Sequence, residues 1–445
     1  MPDPVSAPDP PAPLVPFPGF FSVVGYTLFC FGVVLIICEI ISYGVLAVLT
    51  GPSRLHRELP EHVYETVFGH CRGTPDGKYS SSSHPWINQM SSSPAYEGRP
   101  WADEYWAEER VRYNEYRWDY TPFALWNMPA RHAQHVNQDA TPLGAVRRTI
   151  NPECPDAKAT RRVRIWVFGG SAVWGIGSPD WGTIASFLSG TLNAASDRCY
   201  EVTNFGADGY VTNQEVILLM QNLKTGQRPD AAVFLDGVNE AWVGAVDPAL
   251  PSSHYLFSHY RDLFEMRVSC RRRLLERSRA FQLVQYASSK RGRFESEGAA
   301  QDDWDAKARA TLDNYARNMA MVGLWGKEYG FKTLFFWQPA LPYGRKPRSA
   351  FEGTLMHYPI LIDHESELQG RRVMAAVKAV FAEAQLRSTA TGAFHYLGDI
   401  FDGHPETLYI DWAHLAPEGN EIIAKAVGDK IEGALPSPKE VRKAD

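Results

Sequence analysis

Residues 162–170 read RVRIWVFGG. An apolar run closed by two glycines marks a buried strand that enters a sharp turn. Residues 183–195, TIASFLSGTLNAA, then have the composition of a helix. The pair repeats: YEVTNFGADGY (200–210) is again a strand ending in glycine, and NQEVILLMQNL (213–223) a helix. AAVFLDGVNE (231–240) is a third strand with its turn. Further on, TLDNYARNMAMVGLWGKEYG (311–330) predicts a helix and KTLFFWQPA (332–340) a strand. NEIIAKAVGDKIEGAL (420–435) closes the pattern as an amphipathic helix. Strands alternating with helices predict an α/β domain over 161–435, with a parallel sheet covered on both faces. The stretch 250–300 interrupts the alternation. It carries Arg271, Arg272, Arg273, Arg277 and Arg279 and reads as a helical insertion whose basic face is solvated.

Upstream the pattern is different. Residues 1–19 are rich in proline, without Lys or Arg, and read as an extended tail. Residues 20–49, FFSVVGYTLFCFGVVLIICEIISYGVLAVL followed by Thr50, carry a single charge, Glu39. A bilayer-spanning helix needs about 20 apolar residues, so this run predicts one transmembrane helix and a lipid bilayer as partner. It is too long for a signal peptide and lacks the positive n-region. Two indications of its orientation oppose each other. Arg54, His56 and Arg57 follow the run whereas only Asp3 and Asp9 precede it, which by the positive-inside rule leaves the C-terminal domain in the cytoplasm. Most anchored proteins of the secretory type hold theirs outside. Residues 50–160 show little periodicity and read as an irregular, aromatic-rich arm; SSSSHPWINQMSSSP (80–94) reads as loop. The dense Trp, Tyr and Arg of 101–126 suit an arm packed on the main domain better than a lid. Residues 436–445 form a short tail.

Composition excludes some functions. The formal net charge of −6 is unlike the basic balance of a nucleic-acid-binding chain. With 13 Trp and 20 Tyr the chain has aromatics to spare, which a well-filled core explains before a carbohydrate or lipid groove does. Of six cysteines, Cys30 and Cys38 lie in the apolar run; Cys71, Cys154, Cys199 and Cys270 have no zinc-site spacing but permit disulfides. The His132 and His135 pair has no evident third ligand, so no metal is expected there.

Active groups in such sheets collect at the carboxyl ends of the strands. Four polar features stand there beside glycine: Ser171 in FGGSAVWG, Gly206 in NFGADGY, Asn239 in DGVNE, and Asp411 with His414 in DWAHLAPEGN. Ser171 is the candidate nucleophile, since two preceding glycines allow a sharp turn that exposes its Oγ. A serine hydroxyl needs a base, which His414 supplies, and Asp411 three residues before it can orient the imidazole. The backbone N–H groups of Ser171 and Gly206 and the side-chain amide of Asn239 are the candidate oxyanion donors.

On these four blocks the chain resembles the SGNH hydrolases of the GDSL lipase and esterase superfamily. The resemblance implies a flavodoxin-like three-layer αβα fold, ester chemistry, and neither cofactor nor metal. Two departures stand out. Where the family has Gly-Asp-Ser this chain has Gly169-Gly170-Ser171, a form common in anchored bacterial members, and where the family has Gly-x-Asn-Asp it has Gly237-Val238-Asn239-Glu240. The expected function is ester hydrolysis on a small ester, a lipid or an acylated glycan. Acyl transfer to a sugar hydroxyl would use the same groups. A non-catalytic binding module is the competing class, which the intact set of five residues disfavours.

Overall fold

The computed structural model describes residues 30–42, 45, 85–114, 118–154, 162–195, 198–246, 253–257, 260–261, 280, 303–356 and 367–435. The chain divides into two compact units, Met1–Thr74 with Tyr260–Gln301, and Pro75–His259 with Asp302–Asp445. In the first, residues 30–42 are helical, with Phe31, Leu35, Ile36, Ile37, Ile40 and Ile41 exposed. Among the described residues no helix is long and apolar enough to cross a membrane. Apart from 30–42 and Val45, the expected span 20–49 lies outside the described residues, as do both tails and most of the basic insertion.

The second unit holds the sheet. In chain order its principal elements are α1 (Pro85–Ser91), α2 (Ala102–Asn114), β1 (Asp119–Thr121), β2 (Leu125–Asn127), β3 (Gln138–Thr141), β4 (Gly144–Arg147), β5 (Arg162–Gly169) and α3 (Ser171–Trp174). There follow α4 (Ile184–Ala195), β6 (Cys199–Asn204), α5 (Thr212–Lys224), β7 (Ala231–Asp236), α6 (Val238–Val246) and α7 (Trp304–Tyr329). The last are β8 (Lys332–Trp337), α8 (Ala350–Leu355), α9 (Glu367–Thr391), β9 (His395–Tyr396) and α10 (Pro417–Ala434). Among the described residues, seven strands form one sheet in the order β3-β4-β6-β5-β7-β8-β9. From β6 to β9 every pairing is parallel. Counted along the chain, these five parallel strands lie in the order 2-1-3-4-5, which is the flavodoxin-like order.

The alternation along the strands explains how both faces are covered. Ile165, Val167, Val233, Leu235 and Leu334 turn to one side and pack on Leu188 and Leu192 of α4 and Ile423, Val427 and Ile431 of α10. Alternate residues on the other face form an in-register ladder. Phe168 stacks on Phe234 (4.9 Å) and Phe234 on Phe335 (5.1 Å). Tyr315 of α7 and Phe381 of α9 meet Trp337 edge-on above that face. All six residues of β7 are buried, as a central strand of a doubly covered sheet requires.

The segment before 161 differs from its expected irregularity. Its described residues form two α-helices and two hairpins, and β3–β4 extends the parallel sheet by an antiparallel pair, joined at Arg147↔Asn204. The sheet therefore begins at Gln138, and part of the expected loop 80–94 is helix α1. The physical reason is that the arm buries its aromatics as a core of its own. Ile87, Met90, Tyr105 and Trp106 cluster with Trp174 of α3 and with Ile176 and Ile410, which belong to loops of the strand ends. Buried Arg147 ties β4 to the turn after α3, donating to the carbonyls of Trp174 and Ser178 and pairing with Asp180. No periodicity announces such an arm, because tertiary packing rather than an amphipathic stripe holds it. Cys154, at its end, is disulfide-bonded to Cys199 at the start of β6, with Cα atoms 5.8 Å apart.

Candidate active site

At the end of β5 the two glycines are needed for close approach. A Cβ on Gly169 would lie 2.4 Å from Val173 Cγ2 and 2.6 Å from the Leu235 carbonyl oxygen. One on Gly170 would lie 2.2 Å from Asn239 Nδ2. Ser171 therefore starts α3, a single turn closed by Gly175 at φ 98°. As first residue of that turn, Ser171 has no acceptor for its N–H within the helix.

The turn at 411–414 is built on one carboxylate. Asp411 Oδ1 accepts the N–H groups of Ala413 (2.8 Å) and His414 (2.6 Å). Its Oδ2 is 2.6 Å from His414 Nδ1, and His414 Nε2 is 2.7 Å from Ser171 Oγ. The structure thus brings together Ser171, His414 and Asp411 in the order that nucleophilic catalysis requires. Burial acts to raise the Asp411 carboxyl, but the neighbouring imidazole and the backbone donors hold it below the usual carboxylate value. Burial likewise opposes a charged His414, yet the Asp411 charge and hydrogen bond, with Asp208 adding to them, lift its pKa above the ordinary histidine value. Such a pair can accept the serine proton and stabilise the imidazolium that results.

Asn239 lies beside the nucleophile turn and donates through Nδ2 to the Tyr210 carbonyl at 2.7 Å. Gly206 is placed differently from its expected role. Its N–H donates to Asn204 Oδ1 (2.9 Å), so it is not an open oxyanion donor. Glycine is needed there because a Cβ would lie 2.3 Å from the Trp174 nitrogen, where the loop after β6 crosses α3. In the same loop Gly209 takes φ 71° just before Tyr210, whose carbonyl accepts from Asn239. Glu240, the departure in the third block, is structural. It accepts from Thr212 N (2.7 Å), Thr212 Oγ1 (2.8 Å) and Gly237 N (2.7 Å), which joins the start of α5 to the turn carrying Asn239.

Sequence reasoning missed Trp86. Its indole Nε1 donates to Asp411 Oδ2 at 3.0 Å, and its ring stands edge-on to His414 at 5.9 Å. Nothing in SSSHPWINQ marks that tryptophan as part of a site 325 residues away in sequence. The histidine pair is divided between different neighbours: His132 lies 3.8 Å from Asp139, and His135 3.5 Å from Glu104.

A flavodoxin-like sheet with Ser, His and Asp in line at its strand ends has the geometry of a serine hydrolase. No family model matches the chain, and no curated protein matches it in sequence. Solved structures similar to it include ester hydrolases. One is the acetyl xylan esterase AlAXEase, 15% identical over 60% of this chain and 100% of that one, at a TM-score of 0.31. Another is the lipase/acylhydrolase from Enterococcus faecalis, 15% identical over 62% and 98%, at 0.32. A third is a variant of Axe2, an acetyl xylan esterase from Geobacillus stearothermophilus, 13% identical over 62% and 97%, at 0.28.

Proposed function

We propose that this chain is a membrane-anchored serine esterase of the SGNH type, with Ser171 as nucleophile, His414 as base and Asp411 as its orienting acid. The observation that carries the reading is the continuous hydrogen-bonded line from Ser171 Oγ through His414 (2.7 Å) to Asp411 (2.6 Å). Ser171 Oγ attacks the ester carbonyl while His414 Nε2 takes its proton. The carbonyl oxygen becomes an oxyanion facing the Ser171 N–H and the Asn239 amide. Collapse expels the alcohol, which receives the proton from His414. Water, deprotonated by the same imidazole, then attacks the acyl-serine; the acyl–Oγ bond breaks, the acid leaves, and His414 returns the proton to Ser171 Oγ. The substrate is an ester of a small molecule, a lipid or an acylated glycan.

The anchor is the apolar run 20–49, supported by its length and by the exposed apolar side chains of 30–42. The Cys154–Cys199 bond supports a domain on the oxidising, extracytoplasmic side, against the positive-inside pattern. A fluorophosphonate probe and a panel of esters of increasing acyl length, applied to membranes holding the full chain, test the reading together. The expected result is covalent labelling and turnover that Ser171→Ala removes, with a loss of about 10⁴-fold or more in kcat. Turnover that persists in a folded Ser171→Ala protein would overturn the mechanism. Acyl transfer instead of hydrolysis would show as dependence of the rate on an added sugar acceptor.

A further inference from the structure

We infer that Trp86 is a positioning residue of the triad: its indole N–H, delivered by the arm, fixes the Asp411 carboxylate against His414. The inference rests on the hydrolase reading for its kinetic consequence but on geometry for its substance. Asp411 Oδ1 is held by two N–H groups of its own turn. Among the described residues, Trp86 is the donor that reaches Oδ2 from outside that turn, and it binds the same oxygen as His414 Nδ1. The carboxylate is 1% exposed, so water does not offer a substitute donor. In such surroundings a hydrogen bond to a charged oxygen is strong.

The arm holds the indole in place. Trp86 packs edge-on against Tyr113 at 5.4 Å, and the Arg112 guanidinium lies 4.1 Å over the Tyr113 ring. Arg112 is in turn forked onto buried Glu109 through two contacts of 2.7 Å. A tryptophan that only filled space would need none of this alignment. Charge reaches His414 from Asp411 in its own turn and from Asp208 in the loop after β6. By donating to Asp411, Trp86 drains part of the larger of these fields. Losing the N–H should therefore leave a stronger anion beside the imidazole and a less ordered one.

The test is Trp86→Phe in the full chain, which keeps a ring and removes the donor. The His414 pKa, followed by NMR of the ring, should move upward, and the acid limb of kcat/KM should move with it. On an ester that the wild type turns over, kcat should fall about tenfold with KM little changed. A His414 pKa and a kcat equal to the wild type's, whatever the melting temperature, overturn the inference. Should the variant not fold, the wild type carries the test alone: the Trp86 indole N–H resonance should shift with the same midpoint as His414, and a resonance indifferent to that titration overturns the inference equally. A wild type that hydrolyses no ester but shows this coupling would refute the esterase reading and leave Trp86's positioning role standing.

Discussion

One N–H of the Asn239 amide is engaged with the Tyr210 carbonyl, which leaves the other for a developing oxyanion. The two jobs have different signatures. Loss of an oxyanion donor typically costs about 10²–10³ in kcat, because the bond strengthens only in the transition state. Loss of a loop bond costs about 1 kcal/mol of stability. Asn239→Ala is expected to show the first with KM little changed; a melting temperature that collapses while kcat holds would assign the residue to the loop alone. His414 adds a pH signature. It accepts a proton only as neutral imidazole, and Asp411 and Asp208 outweigh burial to raise its pKa. The acid limb of kcat/KM should therefore be centred above the unperturbed value of about 6.5, with activity rising through it. A limb at or below that value in the wild type contradicts the raised imidazole. Legibility was uneven at this scale. Ser171, Asp411 and His414 could be read because their neighbours, two glycines on one side and a three-residue spacing on the other, are local. Gly206 misled because what uses up its N–H is a side chain, Asn204 Oδ1, and sequence shows a glycine without showing its partner.

Among the elements, α5 and β7 carry a conflict that the site does not use. Glu215 of α5 and Asp236 of β7 are buried facing each other, and burial first, then their mutual charge for Glu215 and the Glu240 charge for Asp236, raise both carboxyls well above their ordinary range. Their contact needs a shared proton. An acid raised in the folded state contributes stability below its unfolded pKa of about 4.3 and loses it as pH rises through the folded value. Glu215→Gln supplies an amide donor to Asp236 without a charge. Relative to the wild type it should change little near pH 4. Above that it should gain stability progressively, by about 1.4 kcal/mol for each step of one in pH until the folded-state value is passed. Parallel melts of the two proteins from pH 4 to 8 check this; a gain that does not grow with pH refutes it. The strands and helices of 162–246 were legible because alternation and glycine turns encode them. The hairpin β3–β4 was not. Its four-residue strands are too short to display a period, and Arg147, a charged side chain, is fully buried only because Asp180 and three carbonyls await it.

For the molecule as a whole, the boundary of the resemblance is not the boundary of the folded unit. The recognisable blocks begin near 161, yet the unit that holds the triad runs from Pro75. The arm supplies two sheet strands, the clamp Arg147 and the indole on Asp411, and its far end is sewn to β6 by Cys154–Cys199. That bond spans 45 residues of sequence, which encloses β5, the nucleophile turn and α4. Closing a loop of this length removes unfolded-chain entropy equivalent to about 4 kcal/mol in the chain-entropy account, with about 2–4 kcal/mol typical of measured cases. Replacing both cysteines by serine should lower the unfolding free energy in urea by that amount. Wild type unfolded in the presence of a reductant should fall to the same value, because it loses the same cross-link, and the doubly substituted protein should be indifferent to reductant. The outcome also bears on the side of the membrane. A structural disulfide persists where the compartment is oxidising, so alkylation of intact cells before lysis should leave Cys154 and Cys199 unmodified and paired. If both thiols instead react freely and reductant leaves the melt unchanged, the extracytoplasmic assignment loses its support and the arginines after the apolar run decide for the cytoplasm.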